Sequence, residues 1–154
     1  MIQKLRSFLQ RRSAAPVVVR ASRPHHDLHA LFQMQQQHFG SPIVAHVRWG
    51  RWPSNPPERT IRLGSCKPVQ PPIIRVHPVL DHPDVPAWFV SFILFHEMLH
   101  VAIPPIPPIQ GKKRRQVHTP RFRAAERTHP DYDRCMTWEQ ENVRLLIERI
   151  GRDR

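Results

Sequence analysis

The sequence predicts an α+β fold in one domain, and three observations carry this prediction. Three short segments show the alternation of apolar and polar residues that is typical of strands. They follow one helical segment and precede three further helical segments. The apolar run over 84–103 covers nearly the whole circumference of a helix, which marks it as the core helix. The presence of 18 prolines against 5 glycines indicates short elements joined by extended connections. The length of 154 residues suits one domain with its own core.

Residues 1–24 are interpreted as a basic extension, and residues 25–154 as the domain itself. The extension carries basic side chains, and no acidic residue precedes Asp27. This composition is typical of a mitochondrial presequence and equally of a basic tail that contacts nucleic acid. Every apolar run is shorter than the roughly 18 residues that a membrane span requires. We therefore expect a cytoplasmic protein without membrane contact, unless the extension is a presequence.

The first half of the domain contains one helix and three strands. Helical spacing of apolar residues predicts a helix over 25–40 that stops at Gly40, a residue type common just past a helix end. Alternating apolar residues predict a strand over 42–50, and similar short segments predict strands over 59–66 and 72–79. We expect these strands to form a three-stranded antiparallel sheet that covers the core helix.

The core helix is predicted to begin at Asp84, its expected cap, and two further helices follow it. Thr119 is placed to cap the first of these helices, and Pro130 is expected to close it. The second covers 137–151, where a capping box begins at Thr137 and apolar residues line one face. The predicted order is therefore helix, three strands, core helix and two C-terminal helices.

The segment SFILFHEMLHVAIPP, residues 91–105, places two histidines and a glutamate on the core helix. His96 and His100 are four residues apart and therefore project from one face. Burying polar side chains costs on the order of several kcal/mol unless they find partners, and a metal ion between two imidazoles is such a partner. Glu97 lies beside that position at a different angle, so it can deprotonate a water without being a ligand. This HExxH arrangement is typical of zinc hydrolases.

A third protein ligand is expected downstream, because catalytic zinc usually has three. The candidates are His118, Glu126 and His129. His118 is favoured because it precedes a capped helix start, where the backbone geometry is well defined. Glu126 lies two turns along the same helical face, as an acceptor that orients His118 or as a ligand itself. His129 stands at a helix end before a proline, where we expect an exposed histidine.

The sequence resembles the SprT-like zinc metallopeptidase family over about residues 28–150. The resemblance is carried by the segments RLGS and I-x-V-H-P, by the HExxH helix, and by H-x-P-x-F-R-x-x-E. It implies that His96, His100 and His118 bind zinc and that Glu97 is the catalytic acid and base. It also implies a small zincin-like fold, in which a short sheet covers the active-site helix.

The same resemblance suggests a class of substrate. Some SprT-like members cleave proteins crosslinked to DNA, which makes DNA-associated proteins an expected substrate class here. Longer members carry a C-terminal zinc ribbon that these residues lack, whereas this sequence carries the proline-rich segment IPPIPPIQ and a basic N-terminal tail.

HExxH by itself leaves the reaction open, but the chemistry available to these residues agrees with the peptide hydrolysis that the resemblance implies. Three neutral imidazoles leave Zn²⁺ its full charge and one open position for water, whose pKa the metal lowers toward about 7. Glu97 takes the proton of this water and later delivers it to the leaving amine. We therefore expect a zinc-dependent endopeptidase that acts as a monomer on protein or peptide substrates.

The alternative is a zinc-stabilised nucleic-acid-binding module without protease activity. The formal charge of +12 makes an acidic partner plausible. However, a structural zinc usually has four protein ligands, and only three histidines are well placed here. An acid beside the metal would also contribute nothing to a structural site, so Glu97 favours the enzyme.

Further basic and aromatic residues have two interpretations each. The run GKKRR at 111–115 either contacts phosphates of DNA or is a solvated loop, and the loop is favoured. Trp49 and Trp52 either stack on bases or pack at the rim of the core, and packing is favoured. The side chains of the run that would contact DNA are Lys112, Lys113, Arg114 and Arg115.

No residue can be assigned from the sequence to stabilise an oxyanion. Arg121, His129 and Tyr132 are near His118 in the sequence, and a structural role is favoured for each. The two cysteines, Cys66 and Cys135, form no CxxC motif, and we expect buried thiols in a reducing compartment.

Overall fold

The computed structural model of the protein describes residues 23–55, 57–108 and 115–152. They form an α+β fold of four helices and three strands in the predicted order, so the predicted fold class is confirmed. No helix in these ranges has the length and apolar character needed to cross a membrane. The basic extension up to residue 22 and the predicted phosphate contacts Lys112, Lys113 and Arg114 lie outside the described residues. The elements are α1 (Leu28–Gln35), β1 (His46–Trp49), β2 (Gly64–Lys67), β3 (Ile73–Val76), α2 (Ala87–Ala102), α3 (Pro120–Glu126) and α4 (Tyr132–Arg152).

The sheet is mixed, so the prediction of an antiparallel sheet was wrong. Its strand order is β1-β3-β2, with β1 parallel and β2 antiparallel to β3. The last strand therefore inserts between the first two. Burial explains its position, because Ile74 and Val76 of β3 are both 0% exposed. The most apolar of three short strands is buried best when it has a neighbour on each side.

The core lies between one face of the sheet and α2. This helix carries a nearly continuous apolar surface and contacts the sheet as well as all three other helices. Its aromatic residues fill the centre, where Phe89, Phe92 and Phe95 are almost completely buried. A helix that is apolar around its whole circumference must be buried by other elements on all sides. The polar side chains on α2 are therefore held inside a rigid, packed environment.

Two predicted helix starts were wrong. Helix α2 begins at Ala87 after Pro86, not at Asp84, which instead accepts a hydrogen bond from Arg149. Helix α4 begins at Tyr132, more than a turn before the predicted capping box. The hydroxyl of Thr137 donates to the carbonyl of Asp133 inside the helix and caps nothing. Buried Cys135 belongs to the added turn, and its packing extends the helix toward its N-terminus.

The other predicted cap is confirmed, and it positions the later site. Thr119 has an extended backbone, and its hydroxyl accepts a hydrogen bond from the Phe122 amide at 3.1 Å. Pro120 occupies the first helical position, as predicted. Helix α3 ends at Glu126, before Pro130 is reached. The direction of α3 relative to α2 is thus defined at the residue next to His118.

His129 is buried, so its prediction as an exposed histidine was wrong. Its Nε2 lies 3.0 Å from Gln35 Oε1, and Gln35 Nε2 donates to Ser91 Oγ at 2.6 Å. The backbone amide of Asp131 donates to His129 Nδ1. Burial lowers the pKa of His129, which is consistent with a neutral ring that accepts at Nδ1 and donates at Nε2. This chain of hydrogen bonds fastens α1 and the turn after α3 to α2.

Candidate metal centre

Three histidines from two parts of the chain meet beside the C-terminal half of α2. The Nε2 atoms of His96, His100 and His118 form a triangle with three sides of 3.2 Å. The two on α2 are one turn apart, and His118 reaches them from the residue before the cap of α3. The side chains predicted as metal ligands are therefore brought together, and the group could hold a metal ion.

The spacing of these nitrogens fits a tetrahedral metal. A zinc ion with imidazole nitrogens at about 2.0–2.1 Å in tetrahedral geometry separates those nitrogens by roughly 3.3–3.4 Å. The observed separations of 3.2 Å are close to this value for every pair. Three lone pairs that converge at this distance repel one another unless a cation lies between them. The donor set thus fits a metal with one further position open toward solvent.

Glu126 orients the first of these histidines. Its Oε1 lies 2.6 Å from His96 Nδ1, which places the ring proton on Nδ1 and leaves the Nε2 lone pair free. The sequence interpretation paired Glu126 with His118, but the structure pairs it with His96. The reason is that α3 packs on α2, so the glutamate two turns along α3 reaches across to the other helix.

Electrostatics keep the second and third histidines neutral. Burial, followed by the neighbouring His96 and His118, lowers the pKa of His100 to about 4. Burial, followed by His96, also lowers the pKa of His118. Both rings therefore carry free lone pairs at neutral pH. A metal can bind them without first displacing protons.

An aromatic ring forms the floor of the cluster. Phe122 on α3 is 0% exposed and stacks on His100, with ring centroids 4.5 Å apart and planes inclined by 27°. The same ring lies edge-on to His96 at 5.1 Å and to His118 at 4.9 Å. Sequence reasoning missed this role, although the position four residues after His118, one turn into a capped helix, could have suggested it.

The glutamate of the HExxH motif is buried beside the cluster. Glu97 is 4% exposed, and its Oε2 has no hydrogen-bond partner among the described residues. Burial raises the pKa of Glu97 to about 7, against the opposing effects of His96 and Arg62. A carboxyl with a pKa near neutrality can both accept and release a proton at physiological pH. No described residue pairs with the buried Oε2 to offset its loss of hydration, so the carboxyl is held there at a cost in stability.

Gly64 on β2 makes room for this carboxylate. A Cβ added at Gly64 would lie 2.5 Å from Glu97 Oε1 and 2.9 Å from Glu97 Cγ, closer than atoms can approach. The strand therefore passes directly against the carboxylate, and only a glycine permits the approach. Sequence reasoning assigned no role to Gly64, although an isolated glycine inside a strand pattern is a signal for such contact.

Gly64→Ala should displace Glu97 without touching the histidines. We expect peptide cleavage to fall by about 10²-fold, the scale of a 1 Å misplacement, and stability to fall by about 1–3 kcal/mol from overpacking. Metal content should stay unchanged. The control is Gly40→Ala, because a Cβ there meets no atom within 4 Å. Equal activity of the two variants would mean that the position of Glu97 is unimportant.

Glu126→Gln tests the orienting contact with His96. The amide keeps the shape but loses the charge that holds the proton on Nδ1, so we expect metal affinity to fall by about 10–100-fold. Competition with a chromogenic chelator measures this change. Glu141→Gln on α4, an exposed position, is the matched control. Wild-type metal affinity in the Glu126→Gln variant would mean that Glu126 contributes only to the packing of α3.

An open cleft of about 580 Å³ leads to the cluster. Strand β2, an edge strand of the sheet, forms one wall of it, and α4 contributes the opposite side through Met136 and Glu139. Cys66 lies half-buried in the wall, and burial, followed by the charge of Glu97, raises the pKa of its thiol. Arg115 of the predicted basic run lines the mouth. Sequence reasoning missed Met136 and Glu139, because only tertiary packing brings α4 to the cleft.

Other predicted residues lie away from the cleft. Arg121 is exposed, and Tyr132 is half-buried with its ring 6.0 Å from that of Phe92. Neither of them lines the cleft, nor does His129. Cys135 is fully buried as expected, but the prediction of full burial was wrong for Cys66.

The geometry defines one centre with three histidines, an orienting glutamate and a buried second glutamate. Comparison of the chain with family models, with curated proteins and with solved structures finds no match. The chemistry of the centre therefore follows from its own residues.

Proposed function

We propose that the protein is a zinc-dependent endopeptidase of SprT-like, zincin-like type. The observation that carries this proposal is the buried Glu97 carboxylate, with one unpartnered oxygen, beside three converging imidazole nitrogens. A purely structural metal site has no use for such an acid, and burying it unpaired costs stability. The presence of an acid at this position, despite its cost in stability, is consistent with a role in proton transfer.

Each residue of the centre has a distinct role in this proposal. His96, His100 and His118 would hold zinc, which supplies a Lewis acid for a substrate carbonyl and lowers the pKa of a water toward about 7. Glu97 would accept the proton of the attacking water and return it to the leaving amine. Glu126 keeps His96 in the tautomer that presents Nε2.

The sheet edge supports a peptide as the substrate. Strand β2 pairs with β3 on one side, and its other edge borders the cleft. An extended peptide can add to such an edge through backbone hydrogen bonds, which tolerate many side chains. Gly64 and Cys66 of this strand line the cleft next to Glu97. We propose protein substrates in general, and DNA-associated proteins as the class that the resemblance suggests.

The test is cleavage of an unfolded protein such as casein by purified protein of known metal content. We expect about one zinc per chain, cleavage that a zinc chelator abolishes, and recovery when zinc is added back. Cleavage that is indifferent to the chelator would contradict the proposal. Zinc binding with no cleavage of casein or of DNA-bound proteins would favour the zinc-stabilised binding module.

A further inference from the structure

The face of the sheet that points away from α2 is basic. Val47, Ile74 and Val76 point into the core, so their neighbours along each strand point outward. These outward positions hold Arg48 on β1 and Arg75 on β3. Lys67 extends the same side of β2, and Arg51 follows β1. We call this surface the basic sheet face, and its members are Arg48, Arg51, Lys67 and Arg75.

The charges on the basic sheet face are not neutralised by the described residues. Every ion pair in the described ranges is formed by other side chains. Arg48 and Arg75 are even direct partners in the parallel register of β1 and β3. Like charges directly opposite each other on neighbouring strands are destabilising. An anion shared between them would remove this repulsion.

The basic sheet face contains a concavity. A cavity of about 170 Å³ lies between the end of β1 and the start of β2. Arg51 and Arg75 line it together with Ser65 and His77, and Arg62 borders both this cavity and the cleft of the metal centre. Arginine residues around one small cavity are a recognition pattern for phosphate, which guanidinium groups can contact through paired N–H donors.

An exposed aromatic side chain stands beside this cavity. Trp52 is 41% exposed and lies edge-on to His77, with ring centroids 5.9 Å apart. The indole is therefore partly accessible to a ligand, whereas Trp49 packs against the core.

The basic charges, the cavity and the exposed indole together indicate one class of polyanion. No helix projects from the basic sheet face among the described residues, so nothing here is shaped to enter a groove of duplex DNA. A flat basic sheet with an open aromatic ring is the arrangement by which proteins hold single strands, with charges on phosphates and bases on aromatic rings.

We propose that the basic sheet face binds single-stranded nucleic acid, with phosphates at Arg48, Arg75 and the arginine-lined cavity and a base stacked on Trp52. Arg48 and Arg75 lie on the opposite side of the sheet from Glu97, because Val47, Ile74 and Val76 beside them face the core. Arg62 and Gly64 border both the arginine-lined cavity and the cleft of the metal centre, so the test uses Arg48 and Arg75. Loss of either activity would then leave the other measurable.

The test is fluorescence anisotropy of a labelled oligothymidylate with the full chain. We compare Arg48→Ser/Arg75→Ser with Arg127→Ser/Arg144→Ser, a pair of exposed arginines elsewhere with the same change in net charge. The first pair should weaken binding by about tenfold and reduce the slope of log affinity against log salt by about 1.4, or 0.7 per phosphate. The second pair should have little effect. Equal losses in both pairs would assign binding to net charge or to the basic tail and overturn the proposal.

Trp52→Leu separates stacking from charge. It should weaken oligothymidylate binding at least about fivefold, the lower end of the stacking contribution of one base, and leave the salt slope unchanged. Competition with duplex DNA, with phosphatidylserine vesicles and with polyglutamate identifies the partner. Stronger competition by any of these than by unlabelled oligothymidylate would overturn the proposal. An absence of binding at about 50 mM salt would do the same.

Discussion

Glu97→Gln should reduce peptide cleavage by about 10²-fold or more, while metal content and melting temperature stay near the wild-type values. The amide has the same size and remains against Gly64, but it cannot accept a proton from water. Stability should be preserved because the wild-type carboxylate already has an oxygen without a partner, so the substitution removes no hydrogen bond at that atom. Initial rates on a fluorogenic peptide, with zinc measured in the same sample, give the answer.

The matched control for this variant is Glu139→Gln. Glu139 also lines the cleft, and burial raises its pKa as it does for Glu97, but it lies on α4. If carboxyl chemistry in general were responsible, both variants would lose activity equally. Retention of the wild-type rate by Glu97→Gln would show that this residue is not the base. Loss of zinc from the same variant would show instead that it contributes to metal binding.

His100→Ala should abolish stoichiometric zinc binding and all zinc-dependent cleavage. The substitution removes one corner of a triangle in which every nitrogen is 3.2 Å from the other two. It also removes the ring that stacks on Phe122, so the metal-free variant should be less stable than the metal-free wild type. His100 is preferable to His96 for this test, because His96 also holds Glu126 in place.

Two thermal measurements separate the loss of zinc binding from the loss of packing in His100→Ala. Zinc should raise the melting temperature of the wild type, since a ligand that binds only the folded state stabilises it. It should leave the melting temperature of His100→Ala unchanged. His29→Ala, an exposed histidine on α1, is the control and should respond to zinc like the wild type. A zinc response in His100→Ala equal to that of the wild type would place the metal elsewhere.

Local patterns were sufficient for the features that depend on neighbours in the sequence. The fold class, the core helix and the spacing of His96 and His100 follow from helical and strand periodicity. The cap at Thr119 follows from a hydroxyl next to Pro120. Local patterns suffice for the histidine spacing and the cap because the interacting groups are within about one helical turn of each other, where the backbone defines their separation.

The start of α4 and the burial of His129 could not be predicted in this way. Thr137 has the local pattern of a cap, but packing of Cys135 in the core favours a longer helix. His129 has the local setting of an exposed helix end, yet Gln35 supplies a hydrogen bond from a distant part of the chain. In both cases a long-range contact outweighs a local preference of about 1 kcal/mol.

The sequence by itself determined which side chains are the candidates for a metal centre, because HExxH and a later histidine specify a possible donor set through residue type and helical spacing. Only the tertiary structure decided how they are arranged. It placed β3 between β1 and β2, set Gly64 against Glu97, and directed Glu126 to His96. It also placed Arg48 of β1 beside Arg75 of β3 on one face. These features depend on strand order and on the packing of α3 against α2, which burial of the whole core selects and no local window contains.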